Sequence, residues 1–388
     1  MKQLHFDFTI ENNNVVIEFR CYNLSKSTFY LPHAYGGAYD ILNDIKILES
    51  NVKINGNKII TSKNEIIIKY TFNKMEKINV KNFQQRCYHA IFYEDFFIFN
   101  SQNGLILPDC ENEEKLNVTF TTNKPILISG IGKITKTANL KCTCDDLYGL
   151  MVTHSTKYLN TQNIILSYDP NAYLFINLKN IMKKLNKFIG LCNKLFDIKA
   201  KFVIAYTDRK VKIDRINSNG GGHYMGAQFF VLADKKTEDV THNTLIYLAH
   251  EIFHFYNVSR GNYDTKWLTE GFTEFFCRLL LLSNKEFDNE VIKMIDKYND
   301  NKYKNIKNSY ITEKKYWSNY ELSQLSYTKG FVYAYYLYKT QQEEFIERFI
   351  RMCKYYKKSH KLLDNKVIKK YMNDPNFDKY IIDGETIA

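Results

Sequence analysis

The sequence lacks long apolar runs and an apolar leader. Its 388 residues include no apolar run that approaches the roughly 18–20 residues of a membrane-spanning helix. The first residues, MKQLHFDFTIENNN, contain no apolar segment of the kind that a secretory signal has. We therefore expect no membrane partner and a cytoplasmic location.

Cysteine is also scarce. Eight cysteines are scattered along the chain, at positions 21, 87, 110, 142, 144, 192, 277 and 353. This number is too low for a disulfide scaffold, and in a cytoplasmic protein we expect reduced thiols. The pair Cys142 and Cys144, with His154 downstream, lacks the further ligands that a metal site with that spacing has. We interpret both cysteines as thiols.

Arginine makes up only 8 of the 54 basic residues, although the formal net charge is +12. A basic protein invites a nucleic-acid function. Arginine, however, is the residue that binds phosphate in bidentate geometry, and this chain carries lysine instead. We interpret the charge as a lysine-rich surface and do not expect a nucleic-acid partner. A basic nucleic-acid binder is kept as the last alternative.

The composition, 45% hydrophobic and 25% charged, is that of a globular protein with an ample core. Residues 1–168 contain short runs rich in Val, Ile, Phe, Tyr and Thr, which predict an N-terminal β-sandwich-like domain. Apolar residues at three- and four-residue steps from Leu174 to Leu195 then predict a long helix. The fold class is therefore α+β, with a second domain over residues 169–388.

The second domain is predicted to be mainly helical, with a small sheet near its start. A strand is expected at Phe202–Tyr206, followed by a glycine segment at 220–222 and a strand-like run over 228–232. Helical patterns continue from Thr241, which is a candidate N-cap. A polar stretch, residues 298–323, interrupts them and is a candidate cleft wall or lid.

The most informative segment is His250-Glu251-Ile252-Phe253-His254. On a helix, positions i and i+4 share a face, so both imidazoles can bind one zinc ion. Glu251 lies beside them and can take a proton from water at the metal. The alternative is a pair of histidines that are hydrogen-bonded in a core.

A catalytic zinc site with two histidines needs a third protein ligand. Glu270, sixteen residues after His254, opens a second amphipathic helix, and a helix–loop–helix would bring it to the metal. Glu274, one turn later, could orient a ligand imidazole by a hydrogen bond to its other nitrogen. The alternative for Glu270 is an exposed carboxylate at a helix start.

HEIFH followed by WLTEGFTEFF resembles the gluzincin metallopeptidases, which hold zinc with two histidines and a glutamate. The glycyl aminopeptidase family is the most similar group, and the aminopeptidase N family is a more distant one. Further segments that resemble the glycyl aminopeptidases are LPHAYGGAYDI (31–41), HFYNV (254–258), SYTKGFVYAYYL (326–337) and FDKYIIDGETI (377–387). The resemblance implies a thermolysin-like catalytic domain, without the C-terminal PDZ-like domain of that family.

The resemblance also assigns two further groups of site residues. The tyrosine of the Y-x-K-G motif, here Tyr327, donates a hydrogen bond to the oxyanion in these families, although a core tyrosine is the alternative. The segment before the zinc motif is a strand that hydrogen-bonds the substrate, which implies Gly221, Gly222, His223 and Tyr224 as substrate-binding residues. Plain turn glycines are the alternative. This segment lacks the glutamate that binds the substrate's α-ammonium group in the aminopeptidases.

The sequence therefore predicts a zinc peptidase with one Zn²⁺ per chain. Its ligands are His250, His254 and Glu270, its base is Glu251, and Tyr327 stabilises the oxyanion. The expected partner is a peptide substrate, trimmed in an aminopeptidase-like manner. A processing endopeptidase with narrow specificity and a catalytically degenerate binding protein are the alternatives. The sequence does not determine the oligomeric state.

Overall fold

The computed structural model describes residues 2–11, 14–22, 27–33, 45–72, 91–93, 95–111, 113–174, 176–207, 218–223, 226–231, 238–257, 263–359 and 363–387. The chain forms two compact units, which are discontinuous in sequence. Met1–Asn186 and Ala200–Thr244 make up the first, and Lys187–Lys199 and Leu245–Ala388 make up the second. The division at residue 168 stays a prediction. The mixed α+β class is confirmed, with strands concentrated before helices.

The strands belong to the first unit. In chain order they are β1 Lys2–Glu11, β2 Asn14–Tyr22, β3 Ser27–Tyr30, β4 Ile45–Ser50, β5 Ile54–Asn55, β6 Lys58–Thr61, β7 Glu65–Phe72, β8 Ile91–Phe92, β9 Phe96–Asn100, β10 Leu107–Pro108, β11 Lys115–Ile128, β12 Ile134–Thr143, β13 Met151–Ser155, β14 Lys157–Asn160, β15 Ile164–Tyr168, β16 Phe202–Thr207, β17 Ser218–His223 and β18 Gly226–Val231. Within the described ranges they form three sheets.

The largest sheet follows the order β4-β7-β2-β1-β11-β13-β9-β8, and β12 pairs with β11. Strand β1 shows an alternating pattern: Leu4, Phe6 and Phe8 are buried, while the residues between them are partly exposed. A period of two places all these apolar side chains on one face. That face shares its core with the smaller sheet β10-β3-β6-β5, whose Phe29 packs edge-on against Phe19.

The third sheet has the order β14-β15-β16-β18-β17, and its central strands β15, β16 and β18 run parallel. β16 is buried along its whole length, as expected for a parallel strand covered on both faces. The predicted strands at 202–206 and 228–232 are present as β16 and β18. The glycine segment belongs to strand β17, whose Gly221 pairs with Gln228.

Two cysteines are joined in a disulfide, so the expectation that all the thiols are reduced was wrong for Cys110 and Cys144. The cause is the antiparallel β11–β12 hairpin, which pairs Lys115 with Thr143. Residues just before β11 and just after β12 therefore lie side by side, although they are 34 residues apart. Among the described residues, Cys21, Cys142, Cys192, Cys277 and Cys353 are free and buried.

Helices dominate the rest of the chain. They are α1 Ser101–Gly104, α2 Cys144–Tyr148, α3 Leu178–Phe196, α4 Glu238–Phe253, α5 Thr273–Leu281, α6 Asn284–Asp300, α7 Glu313–Ser318, α8 Tyr320–Ser359 and α9 Asn365–Met372. Shorter 3₁₀ turns cover Tyr263–Thr265 and Asn308–Tyr310, and π-helical turns cover Trp267–Phe272 and Asp378–Ile382. α4 begins three residues before Thr241, so Thr241 is not its N-cap. No helix in the described part of the chain combines the length and apolarity needed to cross a bilayer.

An aromatic core holds the helices of the second unit together. The rings of Phe276 on α5 and Phe349 on α8 stack at a centroid distance of 4.3 Å. Phe276 also stacks on Phe253, the last residue of α4. Such ring pairs add to the stabilisation that burial of their apolar area provides. This core fixes the relative positions of α4, α5 and α8.

Two glycines allow α8 to touch the π-helical turn Trp267–Phe272 backbone to backbone. A Cβ atom on Gly330 of α8 would lie 1.8 Å from the carbonyl oxygen of Trp267. A Cβ atom on Gly271 would lie 2.3 Å from Cα of Gly330. No side chain fits at either position, so both residues must be glycine for the two segments to approach this closely.

We expect Gly330→Ala to destabilise the protein by about 3 kcal/mol, because the added methyl group overlaps a backbone carbonyl that cannot move aside. Thermal or urea unfolding measures the change. Lys285→Ala, on the exposed face of α6, is the control and should stay within about 0.5 kcal/mol of the parent protein. A Gly330→Ala variant as stable as this control would contradict the close contact.

Candidate metal centre

The two histidines of the H-E-x-x-H motif lie at the end of α4. His250 is in its last turn, and His254 follows the helix, with its backbone N–H bonded to the carbonyl oxygen of His250 at 3.2 Å. Their Nε2 atoms are 3.0 Å apart. The spacing of four residues therefore points both imidazoles at one position, as the sequence predicts.

Glu270 reaches the same position from the π-helical turn. Its Oε2 atom lies 3.5 Å from Nε2 of His250 and 3.4 Å from Nε2 of His254. The three ligand atoms all lie within 4.8 Å of one another. Two imidazoles and one carboxylate are a typical donor set for a catalytic zinc site, so the residues present fit Zn²⁺.

The surroundings of Glu270 keep its carboxyl group ionised. Burial on its own raises the pKa of this group, but the charge of His254, hydrogen bonds with His250 and His254 and the charge of Lys266 outweigh burial. The pKa therefore lies well below its ordinary value. An ionised carboxylate at neutral pH is the form that binds a metal.

Asn257 connects the histidine segment to the Glu270 segment. Its buried side-chain amide lies within hydrogen-bonding distance of the carbonyl oxygens of Leu268 (3.1 Å) and Thr269 (3.2 Å) and of the Thr273 hydroxyl (3.0 Å). Asn257 therefore binds backbone oxygens of the π-helical turn that carries Glu270. These hydrogen bonds give a structural role to the asparagine of the HFYNV segment, which the sequence analysis noted only as part of a resemblance.

Glu274 lies beside the second nitrogen of a histidine. Its Oε1 atom lies 3.0 Å from Nδ1 of His250, the nitrogen that faces away from Glu270. The other oxygen of Glu274 pairs with Arg278, and Arg278 also donates to Glu290 at 3.1 Å. Oε1 of Glu274 and Nδ1 of His250 do not have the geometry of a hydrogen bond, so the orientation of the imidazole by Glu274 stays a prediction.

A second group of possible ligands, His250, Glu274 and Cys277, shares an imidazole with the first. Burial raises the pKa of the Cys277 thiol well above its ordinary value, so the thiolate needed for metal binding is disfavoured. Arg278 adds a positive charge next to Glu274. We therefore do not interpret this group as a second metal site.

Tyr327 lies on α8, one turn before Gly330, and its ring stacks against His250 at a centroid distance of 5.8 Å. A hydrogen bond joins Tyr327 to Tyr316 of α7. Burial, followed by the charge of Glu270, raises the pKa of Tyr316, which is only 4% exposed. The polar stretch 298–323 thus places a second tyrosine beside the first.

The other predicted residues lie as follows. Glu251 is on α4, next to His250, and is partly exposed. Gly221, Gly222 and His223 are on β17 in the first unit. Tyr224 lies outside the described residues. The roles of all five in binding and catalysis stay predictions.

Sequence reasoning missed Lys266, Arg278 and Tyr316. Lys266 precedes Glu270 by four residues, and Arg278 follows Glu274 by four residues, so helical i,i+4 spacing could have found both. Nothing in the sequence distinguishes Tyr316 from the other 29 of the 30 tyrosines.

We expect Glu274→Gln to lower zinc affinity about 10- to 100-fold, because the negative charge 3.0 Å from Nδ1 of His250 is lost. Competition with a chromophoric chelator measures the dissociation constant. Glu344→Gln is the control, since Glu344 is an exposed carboxylate that also pairs with an arginine four residues away. Equal zinc affinity for the two variants would exclude a role for Glu274 in orienting the ligand.

Comparison with known proteins reveals a structural neighbour. No protein-family model and no curated protein matches the sequence. The crystal structure of an aminopeptidase N family protein from Idiomarina loihiensis is similar, with a TM-score of 0.71 and 14% sequence identity. The match covers 99% of this chain and 77% of the neighbour. At this identity the likeness concerns the fold, and we conclude that the chain has a fold like that of this aminopeptidase N family protein.

Proposed function

We propose that the protein is a zinc-dependent peptidase of the gluzincin type, in which His250, His254 and Glu270 hold one Zn²⁺. The convergence of their three ligand atoms within 4.8 Å carries the proposal. When bound, the metal supplies Lewis acidity that polarises a carbonyl group and acidifies water. The aminopeptidase-like fold supports the same class of reaction.

Glu251 is the general base. It adjoins His250 on α4 and is partly exposed, so a water molecule can reach it. Its carboxylate takes a proton from the attacking water and later delivers that proton to the leaving amine. Glu251 is also the carboxylate within the H-E-x-x-H motif itself, directly beside the histidine that carries the first candidate ligand atom.

Tyr327 stabilises the oxyanion. Its ring lies against His250, close to where the ligand atoms converge. A phenol donates a hydrogen bond to the oxygen that becomes negative as water attacks the peptide carbonyl. The neighbouring Tyr316 holds Tyr327 through their hydrogen bond.

The substrate is a peptide, which Gly221, Gly222 and His223 of β17 bind together with Tyr224. Aminopeptidase-like trimming is our first hypothesis, from the resemblance to the glycyl aminopeptidases. The segment 219–234 offers no acidic residue near its glycines to bind an α-ammonium group, which supports the processing endopeptidase as the second hypothesis. A degenerate binding protein is disfavoured because the complete set of ligands and Glu251 are present.

A cytoplasmic location is weakened by the Cys110–Cys144 disulfide, since disulfides persist mainly in oxidising compartments. Thiol counting on protein purified under alkylating conditions tests whether this bond forms in the cell.

Incubation with a mixed peptide library should give zinc-dependent cleavage that a chelator abolishes and added zinc restores. Glu251→Gln should keep stoichiometric zinc and lose about 10²- to 10⁴-fold in kcat, because the proton acceptor is removed. Mass spectrometry maps the cuts: single N-terminal residues support the aminopeptidase, and internal cuts support the endopeptidase. Zinc-loaded protein that cleaves nothing would refute the peptidase assignment.

Tyr327→Phe should lower kcat about 10²- to 10³-fold with little change in KM, because the hydroxyl acts only on the developing charge. Tyr335→Phe, two turns later on α8, is the matched control and should retain full activity. If the two variants have the same kcat, Tyr327 is a core tyrosine, as the alternative interpretation of the sequence states.

A further inference from the structure

The two carboxylate oxygens of Glu270 have different neighbours. Oε2 lies 3.5 Å from Nε2 of His250 and 3.4 Å from Nε2 of His254. Oε1 instead lies 3.6 Å from Nζ of Lys266, which precedes Glu270 by four residues. The side chain of Glu270 is nearly buried, and that of Lys266 is one-quarter exposed. One oxygen of the Glu270 carboxylate thus faces the two histidines, and the other faces the ammonium group of Lys266.

Aromatic rings hold the Lys266 ammonium group in this position. Nζ lies 5.8 Å from the ring centroid of Tyr263 and 6.0 Å from that of Tyr316. Tyr263 is itself fixed, because its hydroxyl donates to Glu313 at 3.0 Å and accepts from the indole N–H of Trp317 at 2.8 Å. A cation near aromatic faces and a buried carboxylate is better defined than an exposed lysine.

We propose that Lys266 is a positioning residue that engages Oε1 of Glu270, so that Glu270 offers only Oε2 to the metal. The ammonium group also withdraws negative charge from the carboxylate, which makes Glu270 a weaker donor and the bound metal a stronger Lewis acid. The effect on turnover rests on the proposed function. The effect on metal binding does not.

This role predicts opposite effects on affinity and on catalysis. Lys266 and the metal ion are both positive and share one carboxylate, so they repel each other. Removal of the ammonium group therefore strengthens metal binding and also frees Oε1 to become a second ligand atom. A purely structural lysine would instead lower metal affinity and activity together when it is lost.

An ordinary helical ion pair is the competing explanation. Exposed i,i+4 pairs contribute little, and their loss leaves a neighbouring site unchanged. Lys293 provides this comparison within the protein, because it pairs with Glu290 at 2.8 Å and its side chain is 63% exposed. Glu290 is not among the three ligands that converge.

The test compares Lys266→Met, Lys266→Arg and Lys293→Met with the parent protein, each as the full chain. Chelator competition measures the zinc dissociation constant, and the visible spectrum of the Co²⁺-substituted protein reports the coordination number. We expect Lys266→Met to bind zinc several-fold more tightly and to give a weaker Co²⁺ absorption, typical of a higher coordination number. Its kcat/KM should fall about tenfold. Lys266→Arg and Lys293→Met should resemble the parent protein.

Two results would overturn the inference. Weaker zinc binding by Lys266→Met, in parallel with lower activity, would assign Lys266 a structural role. Unchanged zinc affinity and an unchanged Co²⁺ spectrum would reduce its contact with Glu270 to an ordinary ion pair. A parent protein that binds zinc and cleaves no peptide would refute the proposed function instead, and the affinity and spectral measurements would still decide the role of Lys266.

Discussion

The close contact between Gly330 of α8 and the π-helical turn Trp267–Phe272 determines the geometry of the candidate centre. Glu270 directly precedes Gly271, and Tyr327 lies one turn before Gly330. When the two glycines touch, the carboxylate and the phenol are brought to the same place beside His250. A side chain at either glycine would force the two segments apart. Gly271 of the E-G-F segment and Gly330 of the Y-x-K-G segment therefore contact each other.

The charges of the centre follow a simple pattern along the chain. Lys266, Glu270, Glu274 and Arg278 are spaced by four residues, and each of the two carboxylates pairs with the cation at its own end. His250 lies between the carboxylates, with Nε2 toward Glu270 and Nδ1 toward Glu274. A buried carboxylate is costly without compensation, and this arrangement compensates both. The same cations also tune how strongly each carboxylate acts on the histidine and on a metal.

Much of this could be predicted from the sequence because it depends on local periodicity. Four-residue spacing placed His250 and His254 on one face, and the apolar pattern of WLTEGFTEFF placed Glu270 on a helical segment near them. Short runs rich in Val, Ile, Phe, Tyr and Thr predicted the strands of the first unit. What could not be predicted depends on long-range pairing. The Cys110–Cys144 disulfide requires the register of the β11–β12 hairpin, and the contact of Tyr316 with Tyr327 requires the packing of α7. The sequence predicts a simple helix start at Glu270, because the six residues of Trp267–Phe272 are too few for their apolar pattern to distinguish a π-helix from an α-helix.

The π-helical turn Trp267–Phe272 lets Glu270 face the two histidines while Gly271 faces α8. A π-turn is a local widening of a helix, in which hydrogen bonds join residues five apart instead of four. Asn257 donates to two backbone oxygens of this turn, at Leu268 and Thr269, from the segment that follows His254. The same side chain therefore satisfies the widened turn and joins the two segments that carry the candidate ligands. An asparagine is suited to this position because its amide offers two donors from a short, stiff side chain. A regular α-helix has fewer residues per turn, and it would turn Glu270 to a different direction relative to Gly271. The irregular turn and the buried asparagine are thus coupled requirements for a glutamate that faces two histidines while its neighbouring glycine faces α8.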